Sequence, residues 1–302
     1  MTTRDTIGRY SVTGILGEGG MGVVYAAHDD RLGRPVAIKT IKGSVADADA
    51  AERMRREARA AARVNHPAIC QLYEIGEEEG ELFLVMELLQ GESLAARIAR
   101  GPIAVPEVGS IAIGMLAGIE ALHAQGLIHR DLKPSNIFLT PHGVKLLDFG
   151  LTIAVQSTTE QTGGRLTMPG TVLGTPQYAA PEQLRSEAID TRIDIFAAGA
   201  VIYEMLAGRP PFTGKSAVEM FHAILYEQPA ALTGGPAVVA LDRVVSRALA
   251  KRPADRYQTA AEMTQDLRAA IVLADSGNVA PVTRSDEVDR ASVSGAALRS
   301  GD

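Results

Sequence analysis

Residues 129–150 constrain this chain more than any other stretch. They read HRDLKPSNIFLTPHGVKLLDFG and set Asp131, Asn136 and Asp148 beside short apolar runs. Asp and Asn favour turns, so an isolated Asp or Asn would be interpreted as a loop-forming residue. Here the polar residues occur together in one short string, with Lys133 two positions after Asp131. A shared chemical task is therefore the better interpretation of the string.

The string resembles the catalytic loop and the metal-binding triplet of eukaryotic-type protein kinases. The segments GEGGMGVVY at residues 17–25 and PEQ at residues 181–183 make the chain most similar to bacterial Ser/Thr kinases. The resemblance extends over residues 10–274. It implies an α+β fold of two lobes, a small one with an antiparallel sheet and one main helix and a larger, mostly helical one. It also implies transfer of the γ-phosphoryl group of ATP to Ser or Thr hydroxyls of proteins.

The resemblance assigns a role to each polar residue of the string. Asp131 would orient the substrate hydroxyl and accept its proton, and Lys133 would stabilise charge on the transferring phosphoryl group. Asn136 and Asp148 would supply oxygen ligands for Mg²⁺, with Mn²⁺ as the alternative ion. Arg130 would bind a phosphate on the activation segment, because a guanidinium group suits bidentate phosphate recognition.

A glycine-rich pattern with the spacing G-x-G-x-x-G-x-V lies near the N-terminus, at Gly17, Gly19, Gly22 and Val24. Glycines let a backbone approach phosphates closely, but a dinucleotide-binding turn has the same letters. A dinucleotide-binding turn opens a helix, whereas residues 23–27 continue as a β-like run that is followed by VAIK at residues 36–39. The resemblance therefore assigns Lys39 to the α- and β-phosphates of the nucleotide.

A helix that is rich in Ala, Arg and Glu is predicted over residues 50–64. The resemblance expects a glutamate of this helix to hold Lys39 in place. Glu57 matches that position, because it lies eight residues before the NHP at residues 65–67, and Glu52 is the alternative.

The apolar run at residues 82–86 and the ELLQG that follows resemble the hinge between kinase lobes. By this resemblance Met86 would lie at the back of an adenine pocket, and backbone groups of Glu87 and Leu89 would bond the adenine edge. Apolar side chains would enclose the ring from both sides: Leu16, Val24, Ala37 and Phe138. Hydrophobicity alone would predict only core positions for these residues.

The activation segment is expected at residues 151–180, and its middle is rich in Ser, Thr and Gly without an apolar period. We predict phosphorylation at Thr167 or Thr171, shortly before GTPQY at residues 174–178, with plain loop filler as the alternative. Self-association would allow one copy to phosphorylate another.

Further residues are assigned by the resemblance to substrate docking and to support of the fold. Thr175, together with Lys133, indicates Ser/Thr substrates. Glu182 is expected to pair with Arg256, and Asp194 is expected to hold the backbone of the catalytic loop.

Composition narrows the remaining possibilities. A net charge of −6 argues against a general nucleic-acid surface. The single cysteine, Cys70, lies in an apolar stretch and fits a reducing compartment, so we expect a cytoplasmic protein. We expect neither a signal peptide nor a membrane span, and we interpret the apolar residues 195–207 as a buried helix.

The expected units are an extension at residues 1–9, the two lobes at residues 10–88 and 89–274, and a disordered tail at residues 275–302.

Two other functions compete with an active protein kinase. A non-catalytic scaffold of the same fold would usually lack one of the residues Lys39, Asp131, Asn136 or Asp148, and all are present. A small-molecule kinase of related fold would not need a peptide-docking strip such as residues 174–178. A peptide phosphorylation assay run beside a panel of small metabolites would separate these functions.

Overall fold

The computed structural model describes residues 5–19, 22–41, 48–148 and 176–275. A six-stranded antiparallel sheet comes first in the chain, in the spatial order β1-β2-β3-β4-β6-β5. Its strands are β1 (Thr6–Ile7), β2 (Tyr10–Gly19), β3 (Gly22–Asp29), β4 (Arg34–Ile41), β5 (Leu72–Glu78) and β6 (Glu81–Glu87). The expected two-lobed α+β fold, with an antiparallel sheet in the first lobe, is confirmed.

Strand β6 is apolar over residues 82–86 because both faces of the sheet are covered there. Side chains alternate between the two faces of a strand. Leu82 and Leu84 belong to the main hydrophobic core, whereas Phe83 and Val85 belong to a second, smaller cluster with Tyr10. The continuous apolar run therefore reflects burial on two sides.

One main helix accompanies the sheet, as expected. This helix, α1 (Ala48–Ala61), packs against β5 and buries Met54, Ala58 and Ala61 in the main core. The small side chains of Ala58 and Ala61 allow the helix to approach the sheet closely. Glu57 lies on this helix.

The second lobe is mostly helical. Its helices are α2 (Leu94–Ala99), α3 (Val105–Ala124), α4 (Pro181–Leu184), α5 (Arg192–Ala207), α6 (Ala217–Tyr226), α7 (Pro236–Ala248) and α8 (Ala260–Asp275). A small sheet of β7 (Glu92–Ser93), β8 (Ile137–Thr140) and β9 (Gly143–Leu146) lies where the two lobes meet. Gly208 ends α5 in the left-handed conformation, with φ of 68°, which glycine adopts at little cost.

Helix α5 is buried along nearly its whole length, in agreement with its apolar sequence. Phe196 on this helix stacks on Phe212, with the ring centroids 6.0 Å apart. Helix α3 also has a buried face, where its regularly spaced apolar residues are in the core: Val108, Ile111, Met115, Ile119 and Leu122.

Helix α3 is also long and apolar enough to cross a membrane. More than half of its apolar window is buried within the fold. It packs against α5, α8 and β9, which is the environment of a core helix in a globular domain.

Candidate catalytic and nucleotide-binding site

Asp131, Lys133 and Asn136 form one hydrogen-bonded group between α3 and β8. Lys133 Nζ lies 2.8 Å from Asp131 Oδ2. Asn136 Nδ2 donates to the backbone carbonyl of Asp131 at 2.8 Å and to Asp131 Oδ2 at 3.0 Å. The short 3₁₀ turn Pro134–Asn136 folds the chain back, and this turn brings the three side chains together. Asp131 is thus oriented from two sides, with a positive charge beside it.

The backbone of this loop is anchored by a buried carboxylate. Asp194, in the first turn of α5, accepts hydrogen bonds from the backbone amides of His129 at 2.8 Å and Arg130 at 2.9 Å. Its Oδ2 also lies 2.8 Å from Nε2 of His123 in the last turn of α3. The expected contact of Asp194 with the loop is present. Sequence reasoning missed His123, whose only signal was its position near the end of an apolar helix.

His129 is completely buried, as expected for a packed core histidine. Burial lowers the pKa of its imidazole, and the carboxylates of Asp194 and Asp131 oppose this effect. The ring therefore favours its neutral form and belongs to the interior that supports the loop.

Arg130 and Asp148 both adopt positive φ angles, 69° and 57°, which residues other than glycine rarely do. Such conformations persist only where the surroundings enforce them. For Arg130 the enforcing contact is the hydrogen bond from its amide to Asp194. Just before Asp148, the amide of Leu147 donates to the carbonyl of Asn136 at 2.9 Å. The two expected metal-binding residues thus lie in adjacent, bonded segments.

Lys39 joins the two lobes at this point. Its Nζ lies 2.7 Å from Asp148 Oδ2, and both side chains are largely shielded from water. Glu57 lies on α1 with its side chain partly buried, so it is on the expected helix. Sequence spacing favoured Glu57 over Glu52, and Glu52 is on the exposed side of the helix, near Arg55 and Arg59.

The glycine-rich segment is part of the sheet. Gly17 pairs with Val24 and Gly19 pairs with Gly22 in the β2–β3 ladder. A Cβ atom at Gly17 or Gly19 would meet no atom within 4 Å, so the space beside them is open. At Gly22, where φ is 150°, a Cβ atom would lie 1.7 Å from the carbonyl oxygen of Thr40. Gly22 is therefore required by close packing against β4, a reason that the motif alone did not indicate.

The expected adenine-pocket residues lie on strands around the junction of the lobes. Ala37 on β4 pairs with Met86 on β6, and Val24 on β3 pairs with Lys39. Leu16 on β2 is 54% exposed, which suits a residue at the roof of an open cleft. The remaining members of the set are partly buried: Val24, Met86, Glu87, Leu89 and Phe138.

Two polar contacts near the site were not predicted. Lys145 Nζ on β9 lies 2.7 Å from Glu87 Oε2 at the end of β6. Tyr178 donates its hydroxyl to Glu204 Oε2 at 2.6 Å, and Glu204 lies on the apolar helix α5. Burial, followed by this hydrogen bond, raises the pKa of Tyr178, and burial raises the pKa of Glu204. The sequence signals for these two contacts were a lysine in the apolar string VKLL and a glutamate within an apolar helix.

Glu182 and Arg256 make the expected contact. Arg256 donates to both carboxylate oxygens of Glu182, at 2.6 and 2.8 Å, and both residues are buried. The guanidinium also donates to the backbone carbonyls of Ala250, Lys251 and Arg192. These contacts hold the chain that follows the activation segment against the loop before α8.

Several expected positions lie outside the described residues. They are Thr167, Thr171 and Thr175, together with Phe149 and Gly150 of the metal-binding triplet. Their assigned roles stay predictions.

The donor set fits a hard divalent cation. Asn136 uses its amide nitrogen on Asp131, so its Oδ1 is the atom left to serve as a ligand. Asp148 supplies a carboxylate, and within the described ranges no cluster of three or more His, Cys, Asp or Glu side chains is found. Such a sparse oxygen set suits an ion that keeps water or phosphate ligands of its own.

Comparison with known proteins adds to this geometry. The family model described as "Protein kinase domain" matches residues 10–266. A probable serine/threonine-protein kinase of Streptomyces coelicolor is 40% identical over 273 residues, which is 87% of this chain and 40% of that protein. Serine/threonine-protein kinase PknB of Mycolicibacterium smegmatis is 42% identical over 277 residues, which is 88% of this chain and 44% of that protein.

The chain thus spans less than half the length of these curated relatives. Among solved structures, the PknI kinase domain of Mycobacterium tuberculosis matches with a TM-score of 0.69 and 28% identity. That match covers 89% of this chain and 100% of the solved chain.

Proposed function

Since this chain belongs to the protein kinase family, we propose that it is an active Ser/Thr kinase domain that transfers the γ-phosphoryl group of ATP to proteins. The observation that carries the proposal is the convergence of Lys39, Asp131, Asn136 and Asp148 from both lobes. Lys39 contacts Asp148 at 2.7 Å, and Asp131 contacts Asn136 at 3.0 Å. A scaffold of the same fold has no need to keep this set intact.

The protein's own residues would act mainly by positioning and by neutralising charge. Asp131, oriented by Asn136 and Lys133, is placed to bind the hydroxyl of a substrate and accept its proton. Lys133 offers a positive charge beside the same carboxylate, where it can stabilise the transferring phosphoryl oxygens. Lys39 would contact both the nucleotide phosphates and Asp148, because its amine already lies 2.7 Å from the Asp148 carboxylate.

The family uses ATP with a divalent metal ion, and we assign Mg²⁺ to this chain. Asn136 Oδ1 and the Asp148 carboxylate would hold the ion, which when bound supplies charge neutralisation to the phosphates. Oxygen-only donors favour Mg²⁺ over softer ions, and Mn²⁺ would be the next ion to fit. The remaining predicted residues would line the adenine and phosphate sites, with Glu57 orienting Lys39.

We further propose that proteins are the substrates and that one copy phosphorylates another at Thr167 or Thr171. Arg130 supports this, because it precedes Asp131 in the loop and its conformation is fixed through Asp194. A phosphate on the activation segment would pair with its guanidinium group. The single cysteine, Cys70, is free and buried, which suits the cytoplasm that we assign to this domain.

The proposal is tested by incubating the purified protein with Mg²⁺ and ATP beside an Asp131→Asn variant. Phosphate on Thr167 or Thr171 in the wild type alone, mapped by mass spectrometry, is the expected result. The Asp131→Asn rate should fall about 10²- to 10⁴-fold, because general-base assistance is lost. Nucleotide binding without phosphate transfer in either protein would favour a scaffold instead. Transfer to small metabolites but not to peptides would favour a small-molecule kinase.

A further inference from the structure

Glu87, the last residue of β6, has all of its polar groups engaged outside its own strand. Its amide donates to the carbonyl of Gln71 at 2.9 Å. Its carbonyl receives a weak contact from the thiol of Cys70 at 3.8 Å. Its carboxylate binds Lys145 at 2.7 Å and accepts a long hydrogen bond from the amide of Gln71 at 3.4 Å. The end of the strand is thus held by the residues that lead into the neighbouring strand β5 and by Lys145.

Lys145 reaches Glu87 from the other lobe. It lies on β9, where it pairs in register with Phe138 of β8. Residues directly opposite each other on antiparallel strands point their side chains to the same face of the sheet. Lys145 therefore rises from the face that carries Phe138, the residue assigned to one side of the adenine ring. The lysine side chain is 17% exposed and the glutamate side chain is 29% exposed, so the ion pair is only partly screened by water.

The segment between α1 and β5 packs against the Lys145–Glu87 ion pair. Leu146, next to Lys145, donates to the carbonyl of Ala68 at 2.8 Å and accepts from the amide of Cys70 at 3.0 Å. Residues 68–71 therefore lie between β9 and the end of β6, bonded to both. This packing leaves Glu87 little freedom to rotate about its backbone.

We infer that Lys145 is a positioning residue for adenine nucleotides: by holding the Glu87 side chain behind the hinge, it directs the Glu87 carbonyl toward the cleft. The inference rests on the proposed function, in which the backbone of Glu87 lines the adenine site. The amide of Glu87 donates to Gln71, whereas the carbonyl receives only the weak contact of the Cys70 thiol, so the carbonyl is the backbone group that can still bind the nucleotide. A carbonyl fixed in advance binds the 6-amino group of adenine without the cost of ordering the hinge.

Equilibrium binding of a fluorescent, non-hydrolysable ATP analogue in Mg²⁺ tests the inference. Lys145→Met should raise the Kd about three- to ten-fold, and Glu87→Gln should do the same, because a charged, partly buried contact is lost. At saturating ATP the kcat of Lys145→Met should stay within about two-fold of wild type, because the reacting groups are untouched. The exchanged pair Glu87→Lys with Lys145→Glu should recover most of the lost affinity.

Arg97→Met provides a matched control. Arg97 makes a comparable ion pair with Glu107, with Nε to Oε1 at 2.8 Å and 16% exposure of the arginine, but within the helical lobe alone. Its loss should lower the thermal midpoint about as much as Lys145→Met does and leave the Kd of the nucleotide unchanged.

A nucleotide that lacks the 6-amino group, purine riboside triphosphate, separates positioning from general loosening. Wild type should bind it more weakly than ATP, and in Lys145→Met the difference between the two nucleotides should shrink. An unchanged Kd in Lys145→Met, a tighter Kd, or a full preference for ATP over the 6-deamino nucleotide would overturn the inference. Failure of the wild type to bind any adenine nucleotide would instead overturn the proposed function.

Discussion

Arg256 donates two parallel hydrogen bonds to the carboxylate of Glu182, and the two side chains are only 0% and 3% exposed. The guanidinium also lies over the ring of Phe196, 4.9 Å from its centroid. A buried charge pair of this kind adds little stability compared with apolar residues, but it is costly to leave half complete.

Removal of one partner of this pair should therefore be severe. Arg256→Met leaves the Glu182 carboxylate buried without its counter-charge, and we expect the free energy of unfolding to fall by about 3–5 kcal/mol. Urea unfolding measures the change. Arg252→Met is the control, because Arg252 is 80% exposed and 3.8 Å from Asp255, and it should change stability by less than about 0.5 kcal/mol. Equal effects of the two substitutions would contradict the prediction.

Asp194→Asn should impair catalysis through the loop that the carboxylate holds. An amide replaces one accepting oxygen by a donor, which then faces the backbone N–H group of either His129 or Arg130. We expect a loss of about 2–4 kcal/mol of unfolding free energy and at least about a ten-fold fall in kcat, because Asp131 loses its position.

Asp190→Asn provides the comparison for this experiment. Asp190 pairs with Arg192 near the protein surface, so its loss should cost less than about 1 kcal/mol and leave kcat unchanged. Steady-state kinetics and chemical unfolding of both variants decide the matter. An Asp194→Asn protein with normal kcat would show that the loop does not depend on this anchor.

Gly22→Ala should disrupt the small lobe, whereas Gly14→Ala should not. An alanine at position 22 would need a positive φ and would overlap the Thr40 carbonyl, whereas a Cβ atom at Gly14 meets nothing within 4 Å. We expect at least about 2 kcal/mol of destabilisation for Gly22→Ala, with weaker nucleotide binding, because β3 must move away from β4. Thermal unfolding with and without an ATP analogue measures both effects, and similar behaviour of the two variants would refute the argument.

Lys251 should make stability depend on pH in the alkaline range. Its amine donates to the carbonyls of Ala223 and Ile224 at the end of α6 and lies 3.9 Å from the ring centroid of Phe212. Burial, followed by the charge of Arg256, lowers the pKa of Lys251 from 10.5 to about 8. Between these values the unfolded chain binds more protons than the folded one, so the free energy of unfolding rises with pH.

We expect a gain of about 1 kcal/mol between about pH 7.5 and 9.5, a value reduced for the part of the side chain that water screens. Lys251→Met lacks the titrating group, so its unfolding free energy should rise less over the same interval. Parallel pH profiles for wild type and variant, from urea unfolding, would contradict the assignment.

Local patterns were sufficient to predict most elements of the fold. The apolar residues 195–207 predict the buried helix α5, and the apolar run at residues 82–86 coincides with β6, because burial of a whole helix or of both faces of a strand leaves an apolar run in the sequence. Element ends were less accurate. Helix α1 spans Ala48–Ala61, whereas the predicted helix spans residues 50–64, because helix ends leave a weaker pattern in a sequence than helix interiors.

The candidate site also contains residues that local patterns predict and contacts that they do not predict. The string around Asp131 and the lysine of VAIK carry their own local signatures, and the structure brings Lys39 to Asp148 across the two lobes. The contacts of Lys145 with Glu87 and of His123 with Asp194 join residues 58 and 71 positions apart. Pairs so distant leave no periodic pattern in a single sequence, so they emerge only from the packed chain.

The anchoring of the catalytic loop by Asp194 also has a consequence for hydrogen exchange. The amides of His129 and Arg130 end on a carboxylate that is 1% exposed, at the start of the most deeply buried helix of the fold. Their protons can reach solvent only when α5 separates from the loop, which amounts to opening of the whole helical lobe. A catalytic loop is usually among the first segments to exchange with deuterium, but here its first two amides should exchange as slowly as the hydrophobic core.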